Sequence, residues 1–142
     1  MSLVPREVLG VTPGDRAGSA AQSLGHAALT RWCADLLSGR ATYGEPGGPD
    51  PGWLAGRAVD AWGAPASLEE ATDYWPRVWA ARTLLHVWDD AAAADVVASL
   101  TDQAWRVREM CAKVCARWEV APAADRMLLR LAQRLDRPVA DP

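Results

Sequence analysis

The chain predicts an all-α fold assembled from stacked helix pairs, and three observations carry that prediction. One element is written twice: Asp73 to Asp89 (DYWPRVWAARTLLHVWD) and Asp102 to Glu119 (DQAWRVREMCAKVCARWE) each place Arg-Val four and five residues after an aspartate, and the helical run that follows ends in a tryptophan. Arg77-Val78 and Arg106-Val107 lie 29 residues apart and Trp88 and Trp118 lie 30 apart, a period that marks a helical repeat protein. Apolar residues recur elsewhere at i, i+3, i+4 and i+7, and no stretch alternates with period two over a useful length.

Taken in order, the elements begin with an arm. Residues 1–17 hold prolines and glycines without a helical period, so they are expected to lie irregularly on the surface. From Gly18 to Ser38, a stripe of Leu24, Ala28, Leu29, Trp32, Cys33, Leu36 and Leu37 predicts one helix, stopped by Gly39. Tyr43 to Gly52 (YGEPGGPDPG) is a plain loop, with three prolines and four glycines in ten residues. Asp50 is a candidate cap with Pro51 in the first turn, opening a short helix through Trp62.

Ser67 and Glu70 then fit a capping box, and Pro76 must kink or restart the helix that follows, with Asp73 as a second cap. The restarted helix is expected from Tyr74 to Trp88. It is apolar nearly all round: Val78, Ala81, Leu84, Leu85 and Trp88 form one stripe, and Trp75, Trp79, Arg82 and His86 a second. Such a helix belongs between neighbours. Asp89-Asp90 caps a short helix through Leu100, Asp102 caps another through Trp118, and Pro122 opens a last one through Leu135. In the segment 104–118, Val107, Met110, Cys111, Val114 and Cys115 share one face while Arg106, Glu109, Lys113 and Arg117 take the other.

Composition bounds the rest. With 142 residues, half of them apolar and 23% charged, the chain reads as one globular domain over 1–142 with a real core. No run is long and apolar enough to span a bilayer. The start of the chain lacks the basic and apolar regions of a secretory signal, and three cysteines, Cys33, Cys111 and Cys115, form no disulfide framework. A cytoplasmic location is the expectation. The net charge of −3 is uneven: residues 1–101 carry seven basic and twelve acidic side chains, and residues 102–137 carry eight basic and five acidic.

The doubled element resembles a HEAT repeat, an α-solenoid unit of two antiparallel helices whose second helix is announced by an aspartate and then Val-Arg. Leu100, Asp102, Val107, Arg108, Ala112 and Val114 carry the likeness; the copy at Asp73 keeps Val78 but has Trp79 where the other has Arg108. Ala94-Asp95 and Ala124-Asp125, 30 residues apart, mark the first helices of successive units. The likeness is clearest over 67–136 and weaker over 18–62. It implies an α-α superhelix of about three helix pairs with a capping C-terminal helix. It also implies that Asp73, Asp102 and Arg108 are structural, the aspartates as caps and the arginine bonded to a neighbouring repeat's turn.

Catalysis finds no support in the residues. His26 and His86 are sixty residues apart, and no phosphate-binding, dinucleotide, nucleophile-elbow or zinc-protease motif is present. Cys111 and Cys115 sit one turn apart without the further ligands that zinc needs, so they read as core residues. The expectation is a non-enzyme without metal or cofactor. Eight tryptophans beside no phenylalanine are harder to place. Trp75, Trp79 and Trp105, with Arg82 and His86, make the candidate binding surface, because aromatic and arginine side chains together are favoured at interaction hot spots. The leading reading is therefore a protein-protein interaction or scaffold module for a protein or peptide, or for a second copy of the chain. The alternative is nucleic-acid binding, since some HEAT-like alkylpurine DNA glycosylases use tryptophans on a basic concave surface; the negative net charge opposes it.

Overall fold

The computed structural model describes residues 3–58 and 74–120. Among these, every regular element is a helix. The first is a single turn, α1 (Arg6–Leu9), and α2 (Pro13–Leu24) follows at once. Thr12 caps α2 by accepting the Asp15 amide at 3.2 Å, Pro13 supplies the preset φ of a first turn, and Asp15 faces the positive end of the helix dipole. The irregular arm expected over 1–17 is thus helical for much of its length.

The single helix expected over 18–38 is also two. Gly25, at φ +93°, takes a conformation closed to most side chains, ending α2 and starting α3 (His26–Ser38) in a new direction. Its amide still donates to Ala21 O and its carbonyl accepts from Leu29 N, each at 2.9 Å, so the break leaves those backbone groups bonded. The stripe Leu29, Trp32, Cys33, Leu36 and Leu37 is buried as its spacing predicts. Gly39, left-handed at φ +83°, ends α3 as expected.

Across the following loop the expected cap at Asp50 does two things. One carboxylate oxygen accepts the Gly52 amide at 2.9 Å and the other accepts Val4 N–H at 3.1 Å, tying the N-terminal segment to α4 (Gly52–Ala55). All four residues of α4 are buried, and the chain passes into a 3-10 turn, Gly56–Ala58, through Gly56 at φ +60°. The helix expected through Trp62 is therefore broken at Gly56. The capping box of Ser67 and Glu70, Asp73, and the last helix expected from Pro122 through Leu135 lie outside the described residues.

Pro76 stands in the first turn of α5 (Trp75–Leu84), so it starts this helix instead of kinking it. The helix ends at Leu84, short of Trp88, and Leu85, His86 and Val87 close its last turn on the carbonyls of Arg82 and Thr83. Asp89 accepts Ala91 N–H at 2.8 Å and caps a 3-10 turn (Asp90–Ala92) that runs into α6 (Ala93–Ala98) and a second 3-10 turn (Ser99–Thr101). Asp102 accepts Ala104 N–H at 2.8 Å just before α7 (Trp105–Arg117).

The core is centred on α5, which packs against α3, α4 and α7. This is the between-neighbours position that its all-round apolarity predicts. Side chains such as Leu29, Leu54 and Leu84 are essentially without exposure, each contributing about 1.5–3 kcal/mol by leaving water. Contacts at both ends fix the relative direction of α5 and α7. Arg77, at the start of α5, bonds Asp102 before the start of α7, while Leu84 at the end of α5 accepts from Trp118 after the end of α7. The two copies of the doubled element therefore lie side by side and parallel, with α6 returning between their ends.

Candidate interaction surface

The stripe Trp75, Trp79, Arg82 and His86 divides among three environments. Trp79 is 4% exposed, its ring packed on Tyr43 with centroids 5.6 Å apart. This corrects its expected place on the surface: the loop after α3 folds Tyr43 into the core and covers that face of α5. Arg82 donates from Nη2 to Leu54 O at 3.0 Å, and its guanidinium is held below the usual arginine range by burial and by the charge of Arg16. It too serves the inside of the fold. His86 is exposed, against Gly14 at the start of α2, and lies about 16 Å along the chain axis from Trp75.

What does assemble is a smaller cluster at the N-terminal ends of the two parallel helices. Arg106, exposed on α7, lies 4.5 Å from the ring centre of Trp105 and 5.3 Å from that of Trp75. Trp75 is half-buried, stacked on Trp79 at 6.3 Å and close to Tyr74 at 5.3 Å. Each cation-π contact is worth about 0.5–1 kcal/mol at an exposed site, which orders the arginine without burying it. Trp75 and Trp105 are thus brought together by a residue that the sequence reading assigned only to the polar face. A signal for it exists in the doubled element. Arg77 finds an aspartate in the next copy, Asp102, but 29 residues beyond Asp102 the sequence has Leu131.

At the other end of the same helix pair, Trp88 and Trp118 stack at 6.0 Å with planes 10° apart, and Arg117 lies 4.0 Å over Trp118. Here the indole N–H groups are engaged, Trp118 with Leu84 O at 2.7 Å and Trp88 with Asp90 at 2.9 Å. His26 donates from Nε2 to the carbonyl of Trp88 at 2.7 Å, a bond that joins the start of α3 to the end of this segment. That occupation is structural.

Asp102 does not cap α7, whose N-cap is Ala104 without a side-chain bond. Its carboxylate instead closes the turn before the helix through Ala104 N–H and takes a two-pronged bond from Arg77, 2.9 Å to Nε and 3.2 Å to Nη2, linking one copy to the next. Arg108 donates from Nη1 to Asp102 O and Gln103 O at 2.9 and 3.0 Å, within the turn that leads into its own helix.

All three cysteines are buried free thiols, as their apolar spacing predicts. Burial pushes Cys115 up to about 11 and raises Cys33 and Cys111 further still, so none is a ready thiolate for nucleophilic or metal chemistry. Among the described residues, no three His, Cys, Asp or Glu side chains come together as a metal site, and no helix is long and apolar enough to cross a membrane. Comparison with known protein families, curated proteins and solved structures finds no match.

Proposed function

We propose that this chain is a HEAT-like, non-catalytic interaction module that binds a protein or peptide on the surface formed by Trp75, Trp105 and Arg106. The observation that carries the reading is the placement of Arg106 over two tryptophans from successive copies, with its charge left facing solvent. Aromatic and arginine side chains that are already ordered lose little freedom on binding, which is why such groups dominate interface energetics. Support for the HEAT-like part comes from the parallel α5 and α7, the antiparallel return through α6, and the Arg77 to Asp102 link at the period of the doubled element. Trp75, Trp79 and Arg82 do not share an exposed face, which weakens the nucleic-acid reading.

Pull-down with Trp105→Ala/Arg106→Ala, beside Arg117→Ala as a control at the other end of the helix pair, tests the reading. Loss of two hot-spot side chains is expected to weaken a partner about thirtyfold or more, with the control unchanged. If the folded double variant keeps every partner of the native chain, the surface is wrong. A second copy as partner would instead appear as concentration-dependent sedimentation that Arg106→Ala abolishes.

A further inference from the structure

Arg16 and Arg82 enter the fold from different helices and converge on one turn, where no acid among the described residues pairs with them. Arg16, in the first turn of α2, is 5% exposed; its Nη1 donates to Val11 O at 3.1 Å and, more weakly, to Leu9 O at 3.5 Å. Arg82, near the end of α5, donates Nη2 to Leu54 O. Two residues on from Leu54, a Cβ at Gly56 would stand 2.5 Å from Arg16 Nη1 and 2.6 Å from its Cζ, so the bare backbone there is what lets the guanidinium lie flat. Both side chains therefore converge on the 54–56 turn. Arg57, the next residue, sets a third guanidinium against Gly10 at the rim.

The other arginines bound within the fold show what is missing. Arg77 is held by Asp102, and Arg40 by Asp35 and Asp95. Among the described residues no carboxylate forms an ion pair with Arg16 or Arg82. Their protein bonds occupy one terminal nitrogen on each fork and leave the others without a protein acceptor among the described residues. The only fully enclosed, unpartnered side-chain polar atom there is Tyr43 Oη, so none of these remaining arginine nitrogens is wholly sealed in, although Arg16 is only 5% exposed. Two half-satisfied guanidinium forks that converge on one turn are a planar donor array of the kind that binds oxyanions.

We propose that Arg16 and Arg82 form a binding site for a phosphate-type dianion, either the free ion or the terminal group of a small phosphomonoester. The charge argument selects a dianion, because a single carboxylate neutralises only one of the two guanidinium groups. The site lies apart from Trp105 and Arg106 and does not depend on the interaction surface there.

Calorimetric titration of the intact chain at constant ionic strength, with inorganic phosphate, glycerol phosphate and acetate as separate arms, tests the assignment. Saturable binding of phosphate or glycerol phosphate is expected, with acetate at least about tenfold weaker. Tighter binding of glycerol phosphate than of phosphate would identify the monoester as the source, and the reverse order the free ion. Arg82→Lys, which keeps the charge but loses the fork, should weaken phosphate about tenfold. Arg82→Met should abolish phosphate binding. Absence of saturable phosphate binding by the native chain would overturn the proposal. So would equal binding by Arg82→Met, or acetate as tight as phosphate. Should Arg82→Met fail to fold, the native titration and Arg82→Lys still decide.

Discussion

In α5 the buried residues run round the helix, from Pro76 and Val78 through Trp79, Ala80 and Ala81 to Thr83 and Leu84, whereas in α7 they keep to one line, Val107, Cys111, Val114 and Cys115. The two helices descend from the same written element and lie parallel, yet one is enclosed and the other keeps a polar face of Arg106, Glu109, Lys113 and Arg117. What packs against each helix produces the difference. The α3, α4 and Tyr43 side of α5 is occupied, and residues there have become large and apolar. Equivalent positions 29 residues on show the exchange at Trp79, which answers to Arg108; past the end of α5 the relation reverses, the exposed His86 answering to the buried Cys115.

Substitution at the first of these pairs gives the largest effect. Trp79→Ala removes a buried indole and its contact with Tyr43, and a loss of about 3–5 kcal/mol is expected in denaturant unfolding. Its equivalent Arg108→Ala should lose less, because Arg108 is only half-buried and its bonds to Asp102 O and Gln103 O are worth about 1 kcal/mol. Equal losses at the two sites would break the contrast between enclosed and outer copies.

The second pair is read by alkaline titration. Cys115 goes from 9.0 in the unfolded chain to about 11 when folded, and Tyr43 from 10.0 to about 12, both chiefly through burial. Folding therefore favours the protonated forms. Their contribution is complete below pH 9 and is lost as pH rises through 11 for the thiol and 12 for the phenol. Each such group adds a downward slope of up to about 1.4 kcal/mol per pH unit within its window. Cys115→Ala should make the fall between pH 9 and 11 shallower than in the native chain; an unchanged slope would place the thiol in water, like His86.

A smaller effect sharpens the link between the copies. The Arg77 and Asp102 side chains are 29% and 12% exposed, so their pairing is only partly screened. A double-mutant cycle with Arg77→Met and Asp102→Asn is expected to give a coupling of about 1 kcal/mol, while Asp102→Asn alone also weakens the bond from Ala104 N–H. A coupling of zero would leave apolar packing, the Trp118 bond to Leu84 O and the Arg106 contact with Trp75 to hold α7 on α5. Smallest of all, Arg106→Ala should change stability by less than about 1 kcal/mol, consistent with an exposed group whose value lies in recognition.

Local signals made much of this legible. The helical class, the stop at Gly39, the cap at Asp89, the one-sided α7 and the enclosed α5 follow from periodicity and cap chemistry, which act within a turn or two. The start of α2 was announced as well, by Thr12, Pro13 and Asp15, but an Ala- and Gly-rich helix with few large apolar residues shows little stripe to read. Gly25 could equally have stood inside a helix, since only the backbone φ reveals the break. Exposure of Trp79 and Arg82 depended on Tyr43 and α4, segments distant in sequence that return over the same face. No helical wheel contains that information. For Arg106 the missing aspartate at position 131 was visible, although the two indoles that replace it were not visible as neighbours.

The near-parallel indoles of Trp88 and Trp118, 6.0 Å apart, also give the molecule an optical handle. Two identical transition dipoles this close share their excitation, so the docking of α7 on α5 should carry its own couplet in the circular dichroism of the indole bands. That signal would follow the seating of one copy on the other, separately from helix content in the far ultraviolet, and Trp118→Phe would remove it while α7 stays helical.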